Sequence, residues 1–313
     1  MRIIFAGTPQ AAVPTLRAII EAGHEVCAVI TRPPAPVGRG RTMQPSEVAL
    51  VAMELKLPVV TPENLREAQF AHWVESLDAD AAVVVAYGAM IPNSLLGIPR
   101  FGWLNLHFSL LPAWRGAAPV QAAIAGGDSI TGATVFRIDS GLDTGPVLAV
   151  MTESVQPSDT AGALLERLAN GGAQLMCTAL AGLASGEAAF VPQSADGVSR
   201  APLINTDDAR IQWQLPAAVI ERRVRAYTPA PGAWTTFLGQ RLRISETSIS
   251  ADGTEMAPGE IALVDGHVTV GTGSQGLILQ TVTPAGKKPM SARSWWNGLR
   301  GDATRRFDSE SDR

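Results

Sequence analysis

A carboxamide and an imidazole stand two positions apart at Asn105 and His107, inside the apolar run from Gly102 to Phe108. Alternate residues of an extended chain share a face, so this pair points one way while Leu104 and Leu106 point the other. Histidine titrates near neutrality and can take or give a proton, and an amide N–H can donate to an oxygen on which negative charge develops. Taken alone, Asn-x-His is more often a strand-end histidine bonded to backbone beside an asparagine that opens a turn. A carboxylate at Asp143, in the loop from Asp139 to Pro146, could orient the imidazole or take a proton through a water. Read by itself, that residue is an Asx-turn aspartate ahead of Thr144-Gly145.

Such side chains need elements to hold them. Arg2 to Ala6 and Glu25 to Thr31 read as strands, and Ala11 to Ala22 and Glu47 to Leu57 as helices, an alternation that builds a parallel sheet. Leu65 to Leu77 reads as a further helix, Ala81 to Ala86 and Gly102 to Phe108 as further strands. Gly132 to Ile138 and Val147 to Val155 read as strands joined by the Asp143 loop, and Thr160 to Ala184 as a long helix. The expected architecture is α/β, a doubly wound, mostly parallel sheet. Gly7-Thr8-Pro9-Gln10 after the first strand puts proline where a dinucleotide-binding turn needs glycine, so a nicotinamide cofactor is not expected. Neither a P-loop nor a Gly-x-Ser-x-Gly elbow is present, which lowers phosphoryl transfer and serine hydrolysis.

Residues 1–189 form the expected first domain and 190–204 a linker of Pro, Ser, Gly and Asp. Residues 205–313 form a second, smaller domain, in which Ala233–Leu238, Arg241–Ser248, Gly259–Val264, His267–Gly271 and Leu277–Val282 are short strands suited to a small β-barrel. Gly239-Gln240 and Asp265-Gly266 mark two of the turns.

With 46% hydrophobic and 17% charged residues over 313 positions, the composition is that of a soluble globular protein of two domains. The apolar runs are too short to span a bilayer, and no leader pattern follows Met1, so the cytoplasm is the default location. Cys27 and Cys177 lie far apart and read as free thiols. His24, His72, His107 and His267 lack the spacing of a zinc site, and no metal is expected. A net charge of −4 excludes a strongly basic nucleic-acid binder, so any RNA contact would rest on local patches. Thr31 to Ser46 supplies one such patch, with Arg32, Arg39 and Arg41, prolines and glycines and no acidic residue. Arg222, Arg223 and Arg225 on a helical segment, and Lys287-Lys288, supply others. Each of these is equally a solvated surface.

Six motifs occur in order along nearly the whole chain. They are Ile4-Phe5-Ala6-Gly7-Thr8-Pro9, Gly38-Arg39-Gly40, Asn105-x-His107, Ser109-Leu110-Leu111-Pro112-x-Trp114-Arg115-Gly116, Asp139-Ser140-Gly141-Leu142-Asp143-Thr144-Gly145-Pro146 and Pro284-Ala285-Gly286-Lys287-Lys288. Together they resemble the folate-dependent formyltransferase family, and most closely its members that act on methionyl initiator tRNA. The resemblance implies transfer of the formyl group of 10-formyltetrahydrofolate, a co-substrate, to the amino group of methionyl initiator tRNA, with no covalent enzyme intermediate. It also implies Asn105, His107 and Asp143 as catalytic residues, and a folate site built from Tyr87 and Gly88 together with Ser109, Leu110, Leu111 and Pro112. The tRNA contacts it implies are Arg32, Arg39 and Arg41 in the basic loop, with Arg222, Arg225, Lys287 and Lys288 in a second domain that resembles an oligonucleotide-binding barrel. No obligate protein partner and no membrane are implied. Arg115-Gly116 could bind an acidic group or cap the next helix. A formyltransferase for a small amine, a formyl-folate hydrolase and a non-catalytic RNA binder on an enzyme fold remain the alternatives.

Overall fold

The computed structural model describes residues 1–37, 42–251, 255–299 and 305–308. The basic-loop arginines Arg39 and Arg41, with the Gly38-Arg39-Gly40 motif, lie outside the described residues. The chain divides into two compact units. The first comprises residues 1–119, 130–154 and 165–201, and the second residues 120–129, 155–164 and 202–313.

The first unit carries β1 (Arg2–Gly7), α1 (Val13–Glu21), β2 (Glu25–Ile30), the hairpin β3 (Ala35–Val37) and β4 (Thr42–Gln44), α2 (Glu47–Glu54) and β5 (Val59–Val60). There follow α3 (Ala68–Ser76), β6 (Ala81–Val85), α4 (Asn93–Leu96), β7 (Trp103–His107), β8 (Arg115–Gly116) and α5 (Pro119–Gly126), which belongs to the second unit from Val120 onward. β9 (Ile130–Arg137), β10 (Val147–Ser154), α6 (Ala161–Ser185) and β11 (Arg200–Ala201) complete the series. The seven-stranded sheet runs β10-β9-β7-β6-β1-β2-β5. The strands from β7 to β5 are parallel, whereas β9 is antiparallel to β7 and β10 to β9. Chain order reverses between β1 and β6, and a doubly wound sheet opens a crevice at the carboxyl ends of the strands beside such a switch.

β6 is buried at every position, from Ala81 to Val85, as a central parallel strand covered on both faces must be. Ile4 and Ala6 of β1 join Phe70, Val74, Leu95 and Trp103 in the core on one face, where Trp103 Nε1 donates to Leu95 O at 2.7 Å. α6 covers the sheet elsewhere through two adjacent glycines. A Cβ on Gly172 would lie 2.9 Å from a Leu106 methyl, and one on Gly171 2.7 Å from Met151 Cε, so only bare backbone fits this close. The helix expected over 65–77 starts at Ala68 instead. Asn64 Oδ1 accepts from Arg66 N at 3.0 Å, and that local turn withholds the preceding residues from the helix.

The stretch after α6 stays with the first unit as far as Ala201. Val191 bridges to Val147, and β11 pairs in parallel with β8.

The second unit adds α7 (Ala217–Ala226), β12 (Trp234–Phe237), β13 (Gln240–Ile249), β14 (Ile261–Val264), β15 (His267–Val270), β16 (Leu277–Pro284), β17 (Met290–Ser291) and α8 (Ala292–Asn297). Its antiparallel sheet, a curled half-barrel, runs β12-β13-β16-β15-β14, with β17 on β16. Trp295 stacks on Phe307 and meets the ring of Phe237 edge-on inside it. The Asp265-Gly266 turn stands where expected, both residues at positive φ. The other turn is Leu238-Gly239, one residue earlier than the sequence suggests. Leu238 takes φ 50° and points into solvent.

Candidate active site

β6 and β7 end side by side in the crevice next to the switch point. Asn105 and His107 from β7, Asp143 from the loop between β9 and β10, and Tyr87 after β6 line one cleft of about 250 Å³. Period-two alternation holds as the strand pattern requires, because Leu106 turns away onto Gly172 of α6. Among the described residues the Asn105 carboxamide has no hydrogen-bond partner, so its donor faces the cleft unused.

His107 is fixed from both sides. Its Nε2 lies 2.9 Å from Trp114 O. A carbonyl only accepts, so the ring proton sits on Nε2 and the Nδ1 lone pair is left 3.9 Å from Asp143 Oδ2. The imidazole is buried, with 7% of its side chain exposed, against 14% for the Asp143 side chain. Burial pushes the His107 pKa below 6.5, while the Asp143 charge and the Trp114 carbonyl pull the other way. The neutral, proton-accepting form therefore prevails at neutral pH, with a carboxylate ready beside the nitrogen that takes the proton.

Two aspartates compete for the turn, and the structure separates them. Asp139 Oδ1 accepts from Gly141 N at 3.0 Å and from Thr144 Oγ1 at 2.7 Å, so the Asx-turn belongs to Asp139. Asp143, at φ 52°, is left to turn inward, and its Oδ2 accepts from Gly116 N at 2.8 Å. The Trp114 carbonyl is presented by the turn between β7 and β8, at a left-handed φ of 58°. Gly116 sits at φ 126°, and a Cβ there would lie 2.4 Å from Ala201 O. Gly116→Ala is expected to cost about 1–3 kcal/mol of folding stability, read by chemical denaturation.

The other expected folate contacts divide. Tyr87 is buried in the cleft wall, and burial raises its phenol pKa, partly offset by the charge of Arg32. Gly88 follows it at φ 83°, exposed and off the cleft lining. Ser109, Leu110, Leu111 and Pro112 do not line the cleft either. Ser109 donates to Ala113 O, Leu111 N to Thr134 Oγ1, and a Leu110 methyl packs over Gly132. The segment braces the turn that presents Trp114 O to His107. Met90 and Leu142, which lie in stretches the sequence marks, line the cleft, and so do Ile91 and Ile138, which it does not single out. Apolar residues flanking strand ends carry no signal of their own, although Leu142, half exposed within a polar loop, is a hint.

Among the described basic residues, Arg32 is exposed after β2, and Lys287 and Lys288 are exposed in the turn between β16 and β17. α7 carries the arginines differently. Arg225 is bonded to both oxygens of Glu221 and to Asp159 O, and Arg222 packs its guanidinium over Gly127 with its Nε buried and unpartnered. No group of three or more His, Cys, Asp or Glu residues placed to hold a metal occurs among the described residues, and no described helix is long and apolar enough to cross a membrane.

Residues 1–180 match the family model described as formyl transferase, and residues 203–300 the model of the formyl transferase C-terminal domain. The methionyl-tRNA formyltransferase of Rhodococcus erythropolis strain PR4 is 51% identical over 304 residues, covering 97% of this chain and 98% of that one. HypX from Aquifex aeolicus in complex with tetrahydrofolic acid superposes with a TM-score of 0.67 at 18% identity over 96% of this chain. This chain spans only about half of HypX, 48%. The methionyl-tRNA formyltransferase from Clostridium thermocellum gives a TM-score of 0.56 at 16% identity, over 80% of this chain and 94% of that one. At such identities the two structures speak for the fold alone. With two family models end to end and a half-identical relative running its length, the chain belongs to the formyl transferase family.

Proposed function

We propose that this protein transfers the formyl group of 10-formyltetrahydrofolate to the amino group of methionyl initiator tRNA, giving N-formylmethionyl-tRNA in the cytoplasm. The observation that carries the reading is the convergence of Asn105, His107 and Asp143 on one cleft, with the imidazole held as the Nε2–H tautomer. The attacking amine must be neutral and must shed a proton as its bond to the formyl carbon forms. His107 Nδ1 is the free basic position for that proton, and Asp143 stabilises the imidazolium that results. Asn105 donates its N–H to the formyl oxygen as negative charge develops there. His107 then returns a proton to the folate nitrogen as its bond to the formyl carbon breaks, so that no proton is gained or lost overall. The apolar walls from Tyr87 to Ile91 and at Ile138 and Leu142 suit a flat heterocycle and keep water from competing with the amine. Ser109 to Pro112 supports the site from behind.

Residues 1–189 are the catalytic domain on this reading, 190–204 the connection and 205–313 the tRNA-binding domain. Arg32, Arg39, Arg41, Arg222, Lys287 and Lys288 supply the attraction for RNA phosphates. Arg225, already bonded to Glu221, stiffens α7 and reaches phosphate only by exchanging that partner.

The test supplies purified protein with 10-formyltetrahydrofolate and, separately, charged initiator tRNA, free methionine and a small-amine acceptor such as glycinamide ribonucleotide. Formylated aminoacyl-tRNA with free methionine left unreacted is the expected result. Preferential formylation of the small amine, or formate release with no acceptor present, would sink the proposal.

A further inference from the structure

The connection between the units does more than join them. Gln193 Nε2 donates to two carbonyls of the catalytic loop, Asp143 O and Gly145 O, each at 2.8 Å, and Gln193 Oε1 accepts from Arg115 Nε at 3.1 Å and Nη2 at 2.6 Å. One amide thus ties the loop that carries the carboxylate to the turn that presents the Trp114 carbonyl. Six residues on, Ser199 Oγ accepts from Trp114 N at 2.8 Å, Ser199 O from Arg115 N at 2.9 Å, and β11 pairs with β8 at Gly116, the donor to Asp143 Oδ2. Both partners of His107 are therefore gripped by one strap of chain, residues 193–201, on the first unit.

Neither gripped residue would hold its place unaided. Trp114 and Asp143 are non-glycine residues at positive φ, a conformation that surrounding bonds must impose. Gly145 leaves the loop little room to relax, because a Cβ there would lie 1.7 Å from Arg137 O. A glutamine suits the junction because it alone among side chains of that length offers two N–H donors to a pair of carbonyls and an acceptor to a guanidinium. Glutamate would set a carboxylate against both carbonyls.

We propose that Gln193 is a positioning residue for formyl transfer, holding Asp143 at the distance from His107 at which its charge supports the imidazolium. The inference rests on the reaction proposed above. Gln193 does not line the cleft, so it acts only through Asp143 and Arg115.

The test compares wild type with Gln193→Leu, which removes donor and acceptor at similar volume, and Gln193→Glu, which keeps the Arg115 contact and loses the donors. Steady-state formylation is measured alongside an NMR titration of the His107 ring, which needs no turnover. Both variants should lose kcat by about 10- to 100-fold with little change in either KM. In the leucine variant the His107 titration should move further down, because the raising effect of Asp143 weakens, whereas the charge that glutamate adds opposes that shift and its test is the loss of kcat. A purely structural bracket would lower the melting temperature and leave the titration in place. Gln193→Glu keeps the test alive if the leucine variant fails to fold. Wild-type kcat in a folded variant, full rescue by glutamate, a loss confined to KM, or an unmoved His107 titration in the leucine variant each overturn the proposal. A wild-type protein that formylates nothing would count against the reaction, and the titration would still read Gln193.

Discussion

Replacing His107 with glutamine is expected to lower kcat by about 10² to 10⁴ while the chain stays folded. Glutamine carries its amide N–H where the imidazole carries Nε2 and can keep the bond to Trp114 O, so the turn survives and the loss isolates proton transfer. Among the described residues of the cleft the other titratable groups are committed elsewhere: Asp143 Oδ2 accepts from Gly116 N, Asp139 Oδ1 from Gly141 N and Thr144 Oγ1, and Tyr87 is a phenol whose pKa burial raises. The pH dependence has a definite sign. Burial pushes the His107 pKa below 6.5, so kcat/KM of the wild type should fall on the acid side through a midpoint lower than 6.5. Stability moves the same way. The unfolded chain takes up a proton near 6.5 and the buried ring only at lower pH, so the contribution is complete above 6.5 and declines from there toward the folded value. The glutamine variant should lose both that part of the stability decline and the acid limb of its residual activity, read by denaturation and initial rates over a pH series.

The parts of this site that could be read from sequence are those that follow from periodicity. Asn105 and His107 share a face because a strand alternates, and the buried run at β6 announces a central strand by composition alone. Asp143 was harder to read, because Asp139 and Asp143 sit in one short loop and either could close it. The choice depends on which oxygen finds Gly141 N and Thr144 Oγ1, a three-dimensional fact. Gln193 and Ser199 gave no signal at all. They are single polar residues in a stretch rich in Pro, Ser, Gly and Asp, the composition of a linker, and their partners lie 48 to 85 positions away. Ser109 to Pro112 illustrates the opposite case. Its motif marked the right neighbourhood, yet these residues brace the site from behind while the cleft wall comes from Tyr87 to Ile91.

Asn105→Ala should cost about 10² to 10³ in kcat, roughly 2.7–4 kcal/mol of transition-state stabilisation. The carboxamide stands half-buried in the middle of β7 with no protein partner among the described residues. An amide left without a bond in that position is costly unless a ligand completes it. The size of the effect follows from when the charge arises. The formyl oxygen of the ground state is a neutral amide carbonyl, and its demand for a donor grows as the amine bonds to carbon, so the loss should fall on kcat with KM for the folate nearly unchanged. Asn105→Asp sharpens the test, because a carboxylate keeps the shape and sets negative charge against the developing oxyanion. Its loss should equal or exceed that of alanine. A several-fold rise in KM at unchanged kcat would instead assign Asn105 to holding the ground state, and charge stabilisation in the cleft would then have to come from a protonated His107.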